Sequence, residues 1–335
     1  MHGRSPGDAA MLLLADSRLP AGGHAHSGGA EEAVRLGTIT GPDDLARFLR
    51  GRLATAGLVT AALAAAACEL GTATAPRTAR NEPGPNPAPP GTDGPDVDRS
   101  AAGRSVVDGQ GTGRSGASRP RADGIGGEAP RAGRPHGHGL AADGGEWVQR
   151  WRQLDAEADA RTASPAQREA SRTQGRLLIR TARGIWPSAL LDTLAEAIPE
   201  GAHHPVAVGA AAASAGCDPY QAALAAAYNA VTGPATAAVR LLGLDPVTVH
   251  RLLADLAPAL NDAAHAACAS LMDAVVTEPV PGEAAARDST AGDSAARDFA
   301  TPRGAGWQAL PGHCAPALDL LAEGHQNNPM KLFVS

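Results

Sequence analysis

The chain has no phenylalanine, tryptophan or tyrosine between Phe48 and Trp147, and aromatic residues make up only 3% of its 335 residues. Hydrophobic residues nevertheless account for 43% of the sequence, and much of that share is alanine. The core must therefore be built from Ala, Leu and Val. Alanine has the highest helix propensity, whereas strands favour β-branched and aromatic residues. This composition predicts closely packed helices.

Two segments lack the large apolar residues that a folded core requires. Residues 71–145 consist mainly of Gly, Pro, Ala, Arg, Asp, Ser and Thr, and residues 277–306 are similar apart from Phe299. Ordering a residue costs roughly 1 to 2 kcal/mol, which such segments cannot offset by burial. We therefore predict a disordered insertion at 71–145 and a flexible linker at 277–306. The remaining parts are a helical domain formed by 1–70 and 146–276, and a C-terminal helix and tail at 307–335.

Two helices are predicted from apolar spacing. After Pro42, acidic residues occupy the first turn and apolar residues recur at intervals of three and four, which predicts a core helix that ends near Gly71. A second apolar stripe, which contains Trp147, predicts a helix from Glu146 to about Arg161.

Three further helices are predicted to begin at a polar capping residue followed by proline. These caps are Ser164, Asp218 and Asp245. Ser164 and Gln167 have the spacing of a capping box, and the helix after them should run from Pro165 to about Gly184. No segment shows sustained alternation of apolar and polar residues, so no strand is predicted. The predicted fold class is all-α, a compact helical bundle-like domain with a long disordered insertion.

Charge and residue usage exclude several functions. The formal net charge of -6 is modest, which favours protein partners over nucleic acid or an anionic membrane. Lys331 is the only lysine, so there is no phosphate-binding GK[ST] loop and no mid-chain Schiff-base lysine. The four cysteines are widely spaced, with no CxxC pair and no preceding secretory signal, which indicates reduced thiols. Because no segment offers about 20 uninterrupted apolar residues, we expect a cytoplasmic protein.

A glycine-rich segment near the N-terminus has the highest density of residues that could perform chemistry. A phosphate cradle would need a preceding strand and usually a lysine, and neither is visible. A hydrolase with Ser27 activated by His26 would lack a nucleophile elbow. His24 and His26 could bind nickel or zinc, although two imidazoles alone make an incomplete site. The simplest interpretation is a tight loop in which Ser27 caps a helix that carries Glu31 and Glu32 in its first turns.

The other polar clusters are weaker candidates. His136 and His138 lie in the predicted insertion, where a weak metal contact competes with a solvated tract. His203 and His204 precede Pro205 and are interpreted as surface residues at a helix start. The acidic residues of the second helix are interpreted as solvated surface charge: Asp155, Glu157 and Asp159.

Residues 16–31 resemble the N-terminal signature of the urease accessory protein UreF family, which reads roughly D-S-x-L-P-x-G-x-F-x-H-S-x-G-L-E. The matching residues are Asp16, Ser17, Leu19, Pro20, Gly22, His26, Ser27, Gly29 and Glu31. The segment departs from the signature at His24 and Ala30, where the family has an aromatic residue and a leucine.

Three further blocks follow in the order of the family. The first resembles the family's S-x-x-x-G-R-x-L-L helix through Ser171, Gly175 and Arg176. The second resembles an H-P-V start and a long helical stretch: His204-Pro205-Val206, Tyr228 and Arg240-Leu241. The last block ends in K-L-F-V-S at 331–335, where the family has R-L-F-x-S, so Lys331 replaces an arginine.

The resemblance implies a non-enzymatic, all-helical homodimer. Such a protein binds the UreD (UreH) scaffold and recruits the GTPase UreG, so that nickel reaches apo-urease. GTP hydrolysis would belong to UreG, and the chain would hold no stable cofactor, with nickel at most in transit. The tail is expected to order on the scaffold.

The resemblance also implies partner-binding residues. They are Glu31, Arg176, Tyr228, Arg240, Leu332, Phe333 and Ser335. Alternatives stay open for some of them, since Glu31 and Arg240 could form a structural pair, and a tyrosine at helical spacing in an Ala-rich run is typical of a core. At the level of function, a histidine-dependent nickel-binding metallochaperone and a hydrolase with Ser27 are the alternatives.

Overall fold

The computed structural model describes residues 6–16, 18–21, 23–74, 140–276 and 306–334. Within these ranges the chain is helical and contains no strand, which confirms the predicted all-α class. The α-helices are α1 (Pro6–Ala15), α2 (Ala30–Arg35), α3 (Pro42–Arg52), α4 (Leu58–Thr74), α5 (Leu140–Ala160), α6 (Pro165–Ile185), α7 (Ala189–Ala197), α8 (His204–Ser214), α9 (Pro219–Leu242), α10 (Pro246–Asp255), α11 (Ala257–Val276) and α12 (Pro316–Gln326).

Helical structure extends into both ends of the predicted insertion. A π-helical turn, Leu53–Gly57, joins α3 to α4, so one continuous helical run passes the expected end near Gly71 and reaches Thr74. At the other side, α5 begins at Leu140 rather than at Glu146. The rest of the predicted insertion lies outside the described residues, as does the predicted linker up to residue 305.

The core is a seam of alanines at which the helices approach closely. Residues 61–67 of α4 are buried and include six alanines, and α4 packs against α8, α9 and α11. Where α4 meets α8, a Cβ atom added to Gly209 would lie only 2.2 Å from the carbonyl oxygen of Ala64. Small side chains therefore replace large ones, because close backbone contact fills the interior to the usual density.

The run Pro42–Ala73 is apolar and long enough to cross a membrane by length and composition alone. In its most apolar window, however, 67% of the residues are buried inside the protein. Such burial is expected of a core helix, and α4 lies at the centre of the protein.

The helix starts follow the predicted capping chemistry with one difference. Asp218 and Gln221 form a complete capping box at α9, and the Asp245 carboxylate accepts two backbone N–H groups at α10. Ser164 accepts the N–H of Gln167, as expected of a cap. The Gln167 side chain forms no hydrogen bond with the backbone of Ser164, because it donates to Asp319 of α12 instead. The predicted box at α6 is therefore only half formed.

All four cysteines are free thiols. Burial raises the pKa of Cys68 to about 12 and that of Cys217 to about 11. Reactive and metal-binding cysteines need the thiolate form, so these two buried thiols act as small apolar side chains.

Candidate functional site

The glycine-rich loop leads into α2 through two left-handed glycines. Gly28 has φ +58° and Gly29 has φ +89°, values that side chains rarely adopt. Gly29 is the N-cap of α2, and no side chain caps this helix. The prediction that Ser27 is the cap was therefore wrong. The Ser27 hydroxyl is buried and has no hydrogen-bond partner among the described residues. It therefore forms no hydrogen bond with His26 that could activate it as a nucleophile.

Glu31, in the first turn of α2, holds the C-terminal tail. Its side chain is buried, and its Oε1 and Oε2 accept the backbone N–H groups of Leu332 at 2.6 Å and of Phe333 at 3.1 Å. The next N–H, of Val334, donates to the carbonyl of Ala25 at 2.8 Å. Three successive backbone donors of the tail are thus bound by the glycine-rich loop and the helix that follows it. We name this arrangement the tail seat: Ala25, Glu31, Arg240, His325 and residues 332–334.

His325 is the second buried polar group of the tail seat, at 1% exposure. Its Nε2 donates to the carbonyl of Phe333 at 3.2 Å, since a carbonyl oxygen can only accept. Its Nδ1 lies 3.5 Å from Oε2 of Glu31. The imidazole therefore binds the tail backbone through Nε2, whereas its buried Nδ1 faces the Glu31 carboxylate without a hydrogen bond.

Contacts with α6 and α2 fix the position of α12, the helix that leads into the tail. The Glu323 carboxylate accepts hydrogen bonds from the Ser164 hydroxyl at 2.5 Å and from the Ala166 N–H at 3.0 Å, at the start of α6. On the side of α12 that faces α2, a Cβ atom added to Gly324 would lie 2.6 Å from Oε1 of Glu32. A larger residue at position 324 would have to displace the Glu32 carboxylate, so the position of the tail depends on contacts made well before it.

The side chains of the tail divide between the core and the surface. Phe333 is 8% exposed and belongs to the hydrophobic core, whereas Leu332 is 79% exposed and Val334 is 55% exposed. Arg240, in the last turn of α9, is exposed and forms no hydrogen bond or ion pair with another described residue. A cavity of about 310 Å³ lies between them, lined by Ala25, Arg240, Leu332, Phe333 and Val334.

Four of the seven predicted partner-binding residues therefore meet at the tail seat: Glu31, Arg240, Leu332 and Phe333. Ser335 lies outside the described residues. Arg176 donates to the Glu200 carbonyl and to the Thr173 hydroxyl, which ties α6 to the loop before α8. Tyr228 is partly buried and packs against the core, about 18 Å along α9 from Arg240 at 1.5 Å per residue. Partner contact by any of them stays a prediction.

A polar network that the sequence analysis missed connects α5, α6 and α8. Asp155 is buried and accepts the N–H of His203 at 2.7 Å, and Arg172 donates to both Asp155 and Asp159. The ring of His203 contacts Asp159 and Ser171 at 3.0 and 3.1 Å. The interpretation of His203 and Asp155 as surface residues was therefore wrong. Burial lowers the pKa of His203, as expected of an imidazole inside a core.

This network borders a cleft of about 560 Å³ between α5, α6 and the segment that follows α7. Arg172 lies between the two carboxylates of the network and offsets part of their charge. The pKa of Asp159 is lowered although burial opposes the change, because His203 and Arg172 donate hydrogen bonds to it. The cluster therefore serves to join helices.

The histidines of the glycine-rich segment do not form a complete metal site in the described part of the chain. No group of three or more His, Cys, Asp or Glu side chains there is placed to hold a metal ion. Burial lowers the pKa of His204 to about 4, with a smaller contribution from the charge of His26. The side chain of His24, and both His136 and His138, lie outside the described part.

The chain is similar in sequence to known proteins of one family. A family model described as UreF matches residues 137–257. The urease accessory protein UreF of Mycobacterium marinum is 36% identical over 265 residues, which cover 79% of this chain and 87% of the relative. The protein of the same name from Mycobacterium sp. strain JLS is 37% identical over 257 residues, with 77% and 83% covered. That of Mycobacterium tuberculosis H37Rv is 34% identical over 265 residues, with 79% and 87% covered. The chain belongs to the urease accessory protein UreF family.

Proposed function

We propose that this chain is a non-enzymatic assembly factor of urease maturation, which bridges the UreD/UreH scaffold and the GTPase UreG while nickel enters apo-urease. A role in urease maturation follows from membership of the family. The bridging role, the homodimer, the cytoplasmic location and the passage of nickel are the finer parts of the proposal.

The observation that supports it is the convergence of three distant sequence blocks at the tail seat. Ala25 and Glu31 lie in the signature at 16–31, Arg240 lies in the block that begins at His204, and Leu332 to Val334 lie in the block at 331–335. These are blocks through which the sequence resembles the family. A maturation factor that acts through protein contacts needs such a surface, and it needs no catalytic group there.

The tail has the chemistry of a protein-binding anchor. Leu332 and Val334 present exposed apolar side chains on either side of Phe333. Exposed apolar groups beside a buried aromatic residue are typical of binding sites in which one residue carries much of the affinity. We assign this surface to the scaffold.

The GTPase contact is assigned to Arg240, with Glu31 as a second contact. Arg240 is exposed and has no anionic partner among the described residues, so it can pair with an acidic side chain of another protein. Glu31 is occupied by the tail, and a partner can reach it only after Leu332 and Phe333 have moved.

The experiment is a co-purification of this chain with UreD and UreG, sized by light scattering. The full chain is compared with a variant that ends at Pro329, with Phe333→Ala and with Met330→Ala. We expect Phe333→Ala to weaken scaffold binding by roughly 2 to 4 kcal/mol, as a buried anchor would. Met330→Ala removes a neighbouring exposed side chain and should change binding by less than about 1 kcal/mol.

Unchanged affinity of Phe333→Ala in titration calorimetry would refute the anchor. Failure of the full chain to bind either protein would refute the bridging role and favour the metallochaperone alternative. That alternative predicts a stoichiometric nickel site in the isolated chain, abolished by substitution of His24 and His26.

A further inference from the structure

Pro234 interrupts the hydrogen bonding of α9. It lies inside the helix Pro219–Leu242, and proline has no N–H group. The residue that would normally receive this donor is four positions earlier, so the carbonyl of Ala230 loses its helical partner. A buried carbonyl without a donor is costly, and such groups are nearly always satisfied by another part of the protein.

Arg52 supplies the missing donor. Its Nε donates to the Ala230 carbonyl at 2.8 Å, and its Nη1 donates to the carbonyl of Gly28 at 2.8 Å. No described carboxylate forms an ion pair with this guanidinium. Burial lowers the pKa of Arg52 to about 10, so the group still carries its charge at neutral pH. The arginine therefore connects the proline site of α9 to the glycine-rich loop.

The backbone around Arg52 is adapted to this contact. Arg52 ends α3, and the π-helical turn Leu53–Gly57 follows it directly. A π-turn adds a residue to the helix, so the side chains before it point in a different direction relative to those after it. Such turns are frequent at functional sites. Here the change occurs at the residue that spans two other elements.

The loop itself fits closely against both groups. A Cβ atom added to Gly28 would lie 3.0 Å from Cγ of Pro234 and 3.1 Å from Nη2 of Arg52. Three residues further on, Glu31 binds the tail. The orientation of Glu31 therefore depends on where the loop is held.

We propose that Arg52 is a positioning residue for the tail seat: its guanidinium uses the carbonyl released by Pro234 to fix the glycine-rich loop, and through the loop Glu31, in the orientation that binds residues 332–334. Docking of the tail can be measured on the isolated chain, without any partner. Any effect of Arg52 on scaffold binding rests in addition on the proposed function.

The test is amide hydrogen exchange of the isolated full chain, read at Leu332, Phe333 and Val334. Arg52→Met should raise exchange at these three amides about tenfold or more, relative to the core amides of α4. The matched control is Arg50→Met, the same change at an exposed position of the same helix. It should alter tail exchange by less than about twofold.

A second pair of variants changes the loop that Arg52 contacts. These variants replace the first test if Arg52→Met does not fold. Gly28→Ala places a methyl group against Pro234 and Arg52, and should release the tail. Gly37→Ala introduces the same left-handed strain, at φ +71°, but no atom lies within 4 Å of its added Cβ. It should leave tail exchange unchanged.

The inference is overturned if Arg52→Met raises tail exchange no more than Arg50→Met, or if it raises exchange equally in every helix. It is also overturned if Gly28→Ala and Gly37→Ala behave alike. Scaffold affinity is measured separately on the same variants. Released tails with unchanged affinity would refute the scaffold anchor while leaving the role of Arg52 intact.

Discussion

Replacing Glu31 by glutamine tests whether the carboxylate holds the tail. The two side chains have nearly the same shape, so the packing around Phe333 is preserved. Glutamine, however, has one acceptor oxygen and one NH2 group where the carboxylate has two acceptors. One of the two tail N–H groups then faces a donor, and the other forms a neutral hydrogen bond.

The expected magnitude follows from these two contacts. A hydrogen bond to a charged group contributes about 1.5 to 3 kcal/mol, and a neutral one contributes about 1 kcal/mol. Losing one charged bond and converting the other should weaken tail docking by about 2 kcal/mol or more. At about 1.4 kcal/mol per factor of ten, the open tail becomes roughly 30-fold more populated.

Amide hydrogen exchange measures this population directly, because an amide exchanges when its hydrogen bond opens. Exchange at Leu332 and Phe333 should rise about 30-fold. Val334 should follow, although its N–H binds Ala25, if the tail opens as a unit. Glu169→Gln, the same change at an exposed position of α6, is the control and should have no effect. Tail exchange within about twofold of the parent chain would refute the reasoning.

Two further outcomes are expected from urea denaturation. Gly175→Ala should lower the free energy of unfolding by about 3 kcal/mol, because its Cβ would lie 1.9 Å from the Ala202 carbonyl oxygen. Gly184→Ala, in the same helix with no atom within 4 Å, should raise it by about 0.5 to 1 kcal/mol, and equal effects would contradict the contact. In the unfolded chain His204 becomes protonated below pH 6.5, whereas in the folded chain it becomes protonated only near pH 4. The free energy of unfolding should therefore fall by up to about 3 kcal/mol as the pH is lowered through this window. His204→Gln should flatten that slope, and an unchanged slope would exclude His204 as its source.

The features that the sequence predicted best are local. The capping box at α9 joins Asp218 and Gln221, three residues apart, and the pattern of side chains alone identifies it. The all-α class follows in the same way, from alanine content and apolar spacing. Ser27 shows where local logic fails: a serine before a helix is a good cap, but two left-handed glycines move the helix start to Gly29 and Ala30.

The contacts that form the tail seat are long-range and could not be derived from spacing. Glu31 and Phe333 are separated by 302 positions, and neither residue type indicates a partner by itself. One local signal was available. Pro234 within an Ala-rich helical pattern leaves a carbonyl without its donor, and a donor must then come from elsewhere. The sequence does not show that the donor is Arg52, because that depends on how α3 packs against α9.

The geometry of the tail seat also limits how a partner can use it. A protein that draws Phe333 into its own pocket removes two N–H donors from Glu31 and one acceptor from His325. A carboxylate left buried without partners would cost several kcal/mol, which is comparable to the gain from an anchoring aromatic residue. Under the proposed function, the scaffold or the GTPase must therefore offer donors to Glu31 as the tail leaves. A partner surface with backbone N–H groups or a basic side chain opposite α2 meets this requirement, and a purely apolar groove does not.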